Sequence, residues 1–450
     1  MRHDVCIIGA GAEGLAAAAW LGARGLKAIA VEREAQPGGR CATVEFHPGH
    51  RAGPYADELL PIPPALFRAF DLGRRGVFLS GRCPLGPVQE AVIARVMADA
   101  ARPPPRGFFA REPLPLPWPG EELAARSLAD CGANGFPGGG LCDPQLAGSA
   151  LTLLAGPPGG MPAGGLGRLA AALRAAAEEA GAAISCGLEV TDIRRKRGRA
   201  VAAVLADGSE IAAKAFISTL DLKRSFLSLF AWNELPKALV ERIGAFRAAP
   251  GVARLLLALE APPEGGAPLR APVLAGGMAD EAYRAWRGAM LPAEPPALLR
   301  LVSAVDPALA PDGAATLTVT LAGIPHTPFD GAWSNEKRSK LRETALTLVE
   351  RALPGTVAKI KHAELIVPPD IESRLGLSEG DLLGGELSAT QMLGFRPFGG
   401  LGAECRGTRT PVKGFYLAGP SSALGPVASC ASGVAAAQAV LADLAAGRLS

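Results

Sequence analysis

The sequence predicts an α/β fold in which a domain built on a parallel sheet carries an inserted α+β domain. Three observations predict it. The chain opens on DVCIIGAGAEGLAAAAWLGARGLKAIAVERE at 4–34, an apolar run, a glycine turn, an alanine-rich helix and a second apolar run ending in Glu32. A helix followed by alternating apolar runs fills 165–218, and a strand, loop and long apolar helix close the chain. Strand–helix–strand alternation is the mark of a parallel sheet, and blocks separated by long stretches of different texture mark a discontinuous domain.

The first unit reads as a strand at 4–9, a helix at about 13–25 and a strand at 26–32. Between strand and helix stands Gly9-Ala10-Gly11-Ala12-Glu13-Gly14. Gly9 permits the tight turn, Gly11 lets a pyrophosphate approach the backbone, and Gly14 lets helix and strand pack closely. Phosphates then lie on a helix N-terminus, where unpaired N–H groups and the helix dipole favour anions. Glu32, at the end of the second strand and just before Arg33, is placed to accept from ribose hydroxyls. Gly38-Gly39-Arg40 follow, offering a second backbone approach and a cation for phosphate.

Residues 56–76 hold a helix broken by PIPP, and the proline-rich stretch 101–120 reads as an extended connector. Regularity returns with a helix at about 165–180. Strands follow it, with the charged RRKRGR turn at 194–199 and the Asp207-Gly208 hairpin turn, up to a strand ending near Ser218. The middle section mixes strands such as VARLLLALE with a helix at 336–353. The expected division is a cofactor domain from 1–76, 155–221 and 402–450. The substrate domain is 77–154 with 222–401.

Composition removes several function classes. With 49% hydrophobic and 20% charged residues the chain buries a large core. The net charge of +3 comes without a long basic run, so nucleic acid is not indicated. None of the eight cysteines forms a Cys-x-x-Cys pair and the five histidines fall in no ligand pattern, so no metal site is expected. A strand from Asp4 leaves no room for a targeting segment, and no uncharged run reaches the roughly 18 residues of a membrane span. The expectation is a cytoplasmic protein, with peripheral membrane contact left open.

A Gly-Gly-Arg extension just past the ribose acid is seen in FAD proteins of the large amine oxidase and phytoene desaturase superfamily and is rare in NAD dehydrogenases. The segments 38–79 (beginning GGRCATVEFHPGHRAGPYADELLPIPP), 157–193 (ending GAAISCGLEVTDI) and 368–420 (containing GGELSATQMLGFRPFGGLGAECRG) resemble the phytoene dehydrogenase-related flavoproteins. The resemblance implies FAD as cofactor. Gly9, Gly11, Gly14, Glu32, Gly39 and Arg40 would hold its ADP half, and Val190 would meet the adenine through its backbone. Gly419, Pro420, Val427 and Ala428 would follow the ribityl chain and ring. The helix from about Ser429 would aim its N-terminus at the flavin pyrimidine and stabilise the anionic reduced form. Three features depart from the relatives. Pro420 stands where they carry an acidic or small polar residue, Gly384 and Ala423 stand where they often carry histidine, and the roof segment at about 80–151 is short.

Flavin hydride transfer needs little acid–base machinery. The candidate catalytic groups are Glu386, Gln391 and Arg396, each with an ordinary structural explanation beside the catalytic one. His326 reads as a turn residue, and Phe108-Phe109 as a packed pair or an exposed tip. Monoamine oxidation is disfavoured, because such sites sandwich the amine between aromatic rings. Only three tyrosines are present (Tyr55, Tyr283 and Tyr416), and 417–450 holds no aromatic residue.

The resemblance therefore implies an FAD-dependent oxidoreductase of the desaturase or dehydrogenase type. It would move hydride from a C–H of a small hydrophobic, isoprenoid or lipid-like substrate to flavin N5, with oxygen or a quinone as acceptor. The alternatives are a flavin-binding scaffold or assembly partner with degraded catalysis, and a redox-neutral isomerase. A protein partner over the substrate site is left open.

Overall fold

The computed structural model describes residues 3–80, 87–101, 141, 160–231, 233–264, 273–388, 391, 396–398, 407–425 and 427–449. The Phe108-Phe109 pair, the proline-rich connector and most of the roof segment lie outside the described residues.

The first sheet contains β1 (His3–Ile8), β2 (Ala28–Val31), β3 (Ala183–Ser185), β4 (Val190–Lys196), β5 (Arg199–Leu205) and β6 (Glu210–Ser218), in the order β3-β2-β1-β6-β5-β4. Strands β1 and β2 are nearly continuous apolar runs because a parallel sheet is covered on both faces. The nine-residue β6 is the branch point. Its start, Glu210–Ala212, pairs antiparallel with β5, while Ala215 and Ser218 lie parallel to Val5 and Ile8 of β1. The strand Phe415–Leu417 joins its other side in parallel, so one strand brings the three distant sequence blocks into one sheet.

Helix α1 (Ala12–Gly22) packs on one face with the helices Gly167–Glu179 and Ala431–Ala445, sharing a core through Leu15, Leu173 and Val434. The helix Pro87–Ala100 enters this same core through Val92 and Val96. The expected boundary had put that helix with the substrate domain. The opposite face is closed by Phe226 and Phe230, whose rings meet Phe415 edge-on at 5.5 and 5.1 Å.

The second sheet is antiparallel, with β7 (Val252–Leu259), β8 (Val273–Ala275), β9 (Ala297–Leu301), β10 (Ala315–Ala322) and β11 (Ile360–Ile366) in the order β8-β9-β10-β7-β11. The helix Asn335–Ala352 covers it through Leu341, Ala345 and Leu348. The Ser334 hydroxyl caps that helix by accepting from the Lys337 N–H at 3.2 Å. Segment 53–60 runs between the sheets and is tied to the second by buried ion pairs. Asp57 accepts from both terminal nitrogens of Arg254, at 3.0 and 2.6 Å, and Glu58 pairs with Arg300 at 2.5 Å. Among the described residues no helix is long and apolar enough to cross a membrane, and no group of three acidic, histidine or cysteine side chains is disposed to hold a metal ion.

Candidate functional site

A cleft opens where the C-terminal ends of β1 and β2 meet the N-terminus of α1. Gly9 has φ +94°, and a Cβ there would stand 2.4 Å from the Thr219 hydroxyl oxygen, which itself donates to the Ile8 carbonyl at 2.9 Å. At Gly14 a Cβ would come within 2.0 Å of the Gly9 carbonyl oxygen, so only glycine lets α1 start this close to β1. The second glycine pair lies against the first. The Gly38 N–H donates to the Ala10 carbonyl at 3.0 Å, and a Cβ on Gly39 would stand 3.4 Å from the Gly11 Cα. The two loops form a backbone-walled cradle whose floor is the N-terminus of α1.

Glu32 is fixed at the edge of this cradle. Its two carboxylate oxygens accept from the Ala10 N–H at 2.8 Å and the Glu34 N–H at 3.0 Å, which holds the acid toward the cleft. Arg40 lines the cleft and donates to the Leu382 carbonyl. Val190 lines the cleft beside Glu32, Gly419 and Pro420 line another part, and Arg33 lies on its wall. The Arg33 guanidinium donates to the carbonyls of Ser373 and Arg374 at 3.3 and 2.6 Å, capping the helix Pro368–Leu375. Ala10, Gly14, Val427 and Ala428 are buried and do not line the cleft.

A cleft with glycine loops, a helix N-terminus, an arginine and a fixed acid fits the ADP half of a dinucleotide. The parts of its wall that sequence reasoning missed include Tyr55, Glu58, Leu59, Thr219, Arg224 and the loop around Gly376. No local motif marks them, because they come to the cleft from parts of the chain distant in sequence from the glycine loops.

The helix Ala431–Ala445 departs from expectation. Its first turn faces Glu13, whose carboxylate accepts from the Cys430 N–H at 2.7 Å, the Ser432 hydroxyl at 2.8 Å and the Gly433 N–H at 2.8 Å. Two N–H groups at the N-terminus expected to face the flavin are therefore held by the chain's own acid. Burial holds the Glu13 carboxyl above its ordinary range, against the downward pull of these three donors and Arg40.

The three candidate catalytic groups do not line the cleft. Gln391 mimics a peptide, accepting from the Arg247 N–H at 2.8 Å and donating to the Arg247 carbonyl at 2.9 Å. Glu386 is buried, accepts from the Tyr283 hydroxyl at 2.5 Å and pairs with Arg247 at 2.6 Å. The buried Arg396 guanidinium donates to the carbonyls of Gln391, Leu383, Gly384 and Pro420, and burial brings it down to about 10. Arg396 thereby pins the Pro420 turn to the 383–384 loop. His326 pairs with Glu372 at 2.5 Å, consistent with its reading as a turn residue.

Two departures from the relatives prove to be one feature. Gly384 has φ +69°, and a Cβ on it would stand 2.4 Å from the Pro420 carbonyl carbon and 2.6 Å from the Pro420 Cβ. A histidine at 384 and this Pro420 turn exclude each other. Ala423 is buried in the same first core.

Comparison with known proteins follows this geometry. Residues 7–71 match the NAD(P)-binding Rossmann-like domain, and residues 138–441 match the model described as flavin containing amine oxidoreductase. The chain is 26% identical over 301 residues to pyridine nucleotide-disulfide oxidoreductase domain-containing protein 2 of Mus musculus, covering 62% of this chain and 51% of that protein. It is 25% identical over 237 residues to 4,4'-diaponeurosporene oxygenase of Staphylococcus haemolyticus, covering 52% and 46%. The chain spans about half the length of the curated relatives it matches. A solved putrescine oxidase variant superposes with a TM-score of 0.62 over 99% of both chains at 15% identity, which shows a shared fold.

Proposed function

Since the chain belongs to the flavin containing amine oxidoreductases and its cofactor is FAD, we propose that it is an oxidoreductase of the desaturase or dehydrogenase type acting on a small hydrophobic, isoprenoid or lipid-like substrate. Bound FAD supplies the hydride acceptor for a substrate C–H. The chain's residues hold the cofactor and wall the site. The Gly9–Gly14 and Gly38–Gly39 loops with Arg40 would take the pyrophosphate, Glu32 and Val190 the adenosine, and the Gly419–Pro420 turn the ribityl chain. Pro420 has no N–H to donate, so its turn contributes shape and is held in place by Arg396.

The observation that carries this reading is that Glu386, Gln391 and Arg396 are all spent on structural partners. The hydride step itself would need only a substrate C–H held against bound FAD, and the proton lost from the adjoining carbon on desaturation would pass to solvent water, so neither step calls for one of these three groups. The relative named for diaponeurosporene, a polyene, supports the hydrophobic substrate class. Oxygen or a quinone would take up the electrons.

The test is anaerobic mixing of purified holoprotein with polyene and lipid substrates on one side and alkylamines on the other, following flavin absorbance at 450 nm. Bleaching by the apolar set is expected. Bleaching by amines alone would replace this reading with amine oxidation.

A further inference from the structure

Glu13 is the one residue of the glycine turn whose side chain reaches across the cleft wall to another element. It lies in the first turn of α1, only partly buried, and lines the cofactor cleft with Gly11, Arg40 and Ser429. One oxygen accepts from Cys430 and the other from Ser432 and Gly433. The Ser432 hydroxyl oxygen in turn accepts from the Gly419 N–H at 3.0 Å, so its proton goes to Glu13. Every partner donates, and an ionised carboxylate is the form that three donors satisfy. The contact is built tightly, since a Cβ on Gly433 would come within 2.0 Å of the Glu13 carbonyl oxygen.

A helix N-terminus carries about half a positive charge, and a carboxylate a full negative one. With Glu13 on the helix, the half charge that the N-terminus would present to the adjoining cleft is offset by a negative one. We propose that Glu13 is an electrostatic positioning residue that withholds this helix from the cofactor and makes bound FAD harder to reduce. The three donors, with Arg40 beyond them, favour the ionised carboxylate against the cost of its burial. The inference rests on FAD binding and not on the substrate reading, and its test uses no substrate, so the two fail separately.

The experiment compares wild-type holoprotein with Glu13→Gln, an isosteric change that removes the charge and keeps one acceptor. Sulfite adds to oxidised flavin and leaves negative charge on the ring, so its affinity reads the local field without turnover. Sulfite is expected to bind Glu13→Gln about tenfold more tightly. The two-electron reduction potential is expected to rise by about 30 mV, the equivalent of that tenfold. Sulfite affinity and potential within twofold of wild type, at full FAD occupancy, would overturn the proposal, as would a shift of opposite sign. Should Glu13→Gln give no holoprotein, Glu13→Asp draws the charge back from the helix, and a smaller shift in the same direction is expected. An unchanged sulfite affinity in that variant overturns it equally.

Discussion

At the scale of single residues, Glu32 shows how a cofactor contact is prepared before the cofactor arrives. Its carboxylate is oriented by the N–H groups of Ala10 and Glu34, one from each side of the cleft mouth. Each oxygen keeps a lone pair for an incoming hydroxyl, and hydrogen bonds to a charged group contribute about 1.5–3 kcal/mol. Glu32→Ala is therefore expected to weaken FAD binding by about ten- to a hundredfold, read by fluorescence titration of apoprotein. An affinity within twofold of wild type would remove Glu32 from the binding set. Glu32 was legible in the sequence because its role depends on a spacing within one βαβ unit. The role of Glu13 was not, because Cys430 and Gly433 come to it from the far end of the chain. Gln391 and Arg396 were visible only as polar residues in a family-like segment. That their partners are the backbones of Arg247 and Pro420 is a fact of tertiary packing.

At the scale of elements, the hairpin Val44–His47 and His50–Ala52 meets the edge strand β11 through a cluster of imidazoles. The rings of His47 and His362 stack at 5.2 Å, and His47 lies 5.5 Å from His50. Thr316 spends its hydroxyl proton on the Leu309 carbonyl, so its oxygen accepts from His50 Nδ1 at 3.1 Å. Burial first, then His47 and Lys361, hold the His50 imidazole below its ordinary value of 6.5, against a raising hydrogen bond at Ala315. The unfolded chain then binds the proton more readily than the folded one. Stability from this group is complete above pH 6.5 and is lost as the pH falls below it. Lowering the pH from 7.5 to 5.5 is expected to cost wild type about 2 °C of Tm more than it costs His50→Asn. Parallel pH profiles would show that the cluster does not sense protons. The strands and helices themselves were largely legible. The β1–α1–β2 unit, the Asp207-Gly208 turn and the helices Asn335–Ala352 and Ala431–Ala445 lie where periodicity and turn residues put them. The hairpin's contact with β11 was not legible, because nothing in HPGH announces a partner three hundred residues on.

At the scale of the molecule, the two sheets are joined through a segment that also walls the cofactor cleft, and this couples folding to binding. Arg254 is buried on β7 with 1% of its surface exposed, and the side chain of Asp57 is 7% exposed. Their pair is completed by the Gly53 carbonyl, which accepts from Arg254 at 3.0 Å, and by the Thr318 hydroxyl, which donates to Asp57 at 2.8 Å. Two residues on, Leu59 and Leu60 line the cleft. Removing one partner of a buried pair leaves the other charge without compensation and costs about 3–5 kcal/mol, whereas replacing both by apolar groups costs much less. Asp57→Ala is accordingly expected to destabilise the holoprotein by that amount and to loosen FAD, because segment 53–60 loses its anchor on the second sheet. Arg254→Met alone is expected to cost a similar amount, since it leaves the Asp57 carboxylate buried with the Thr318 hydroxyl. The double variant is expected to be more stable than the sum of the single losses by about 1 kcal/mol or more. Denaturation in the presence and absence of excess FAD measures both effects at once. If the variants unfold the second sheet while FAD stays bound with wild-type affinity, the pair is an anchor for that sheet alone. If affinity and stability fall together in Asp57→Ala and recover together in the double variant, the ion pair is the joint through which the inserted domain holds the cofactor domain in its binding form.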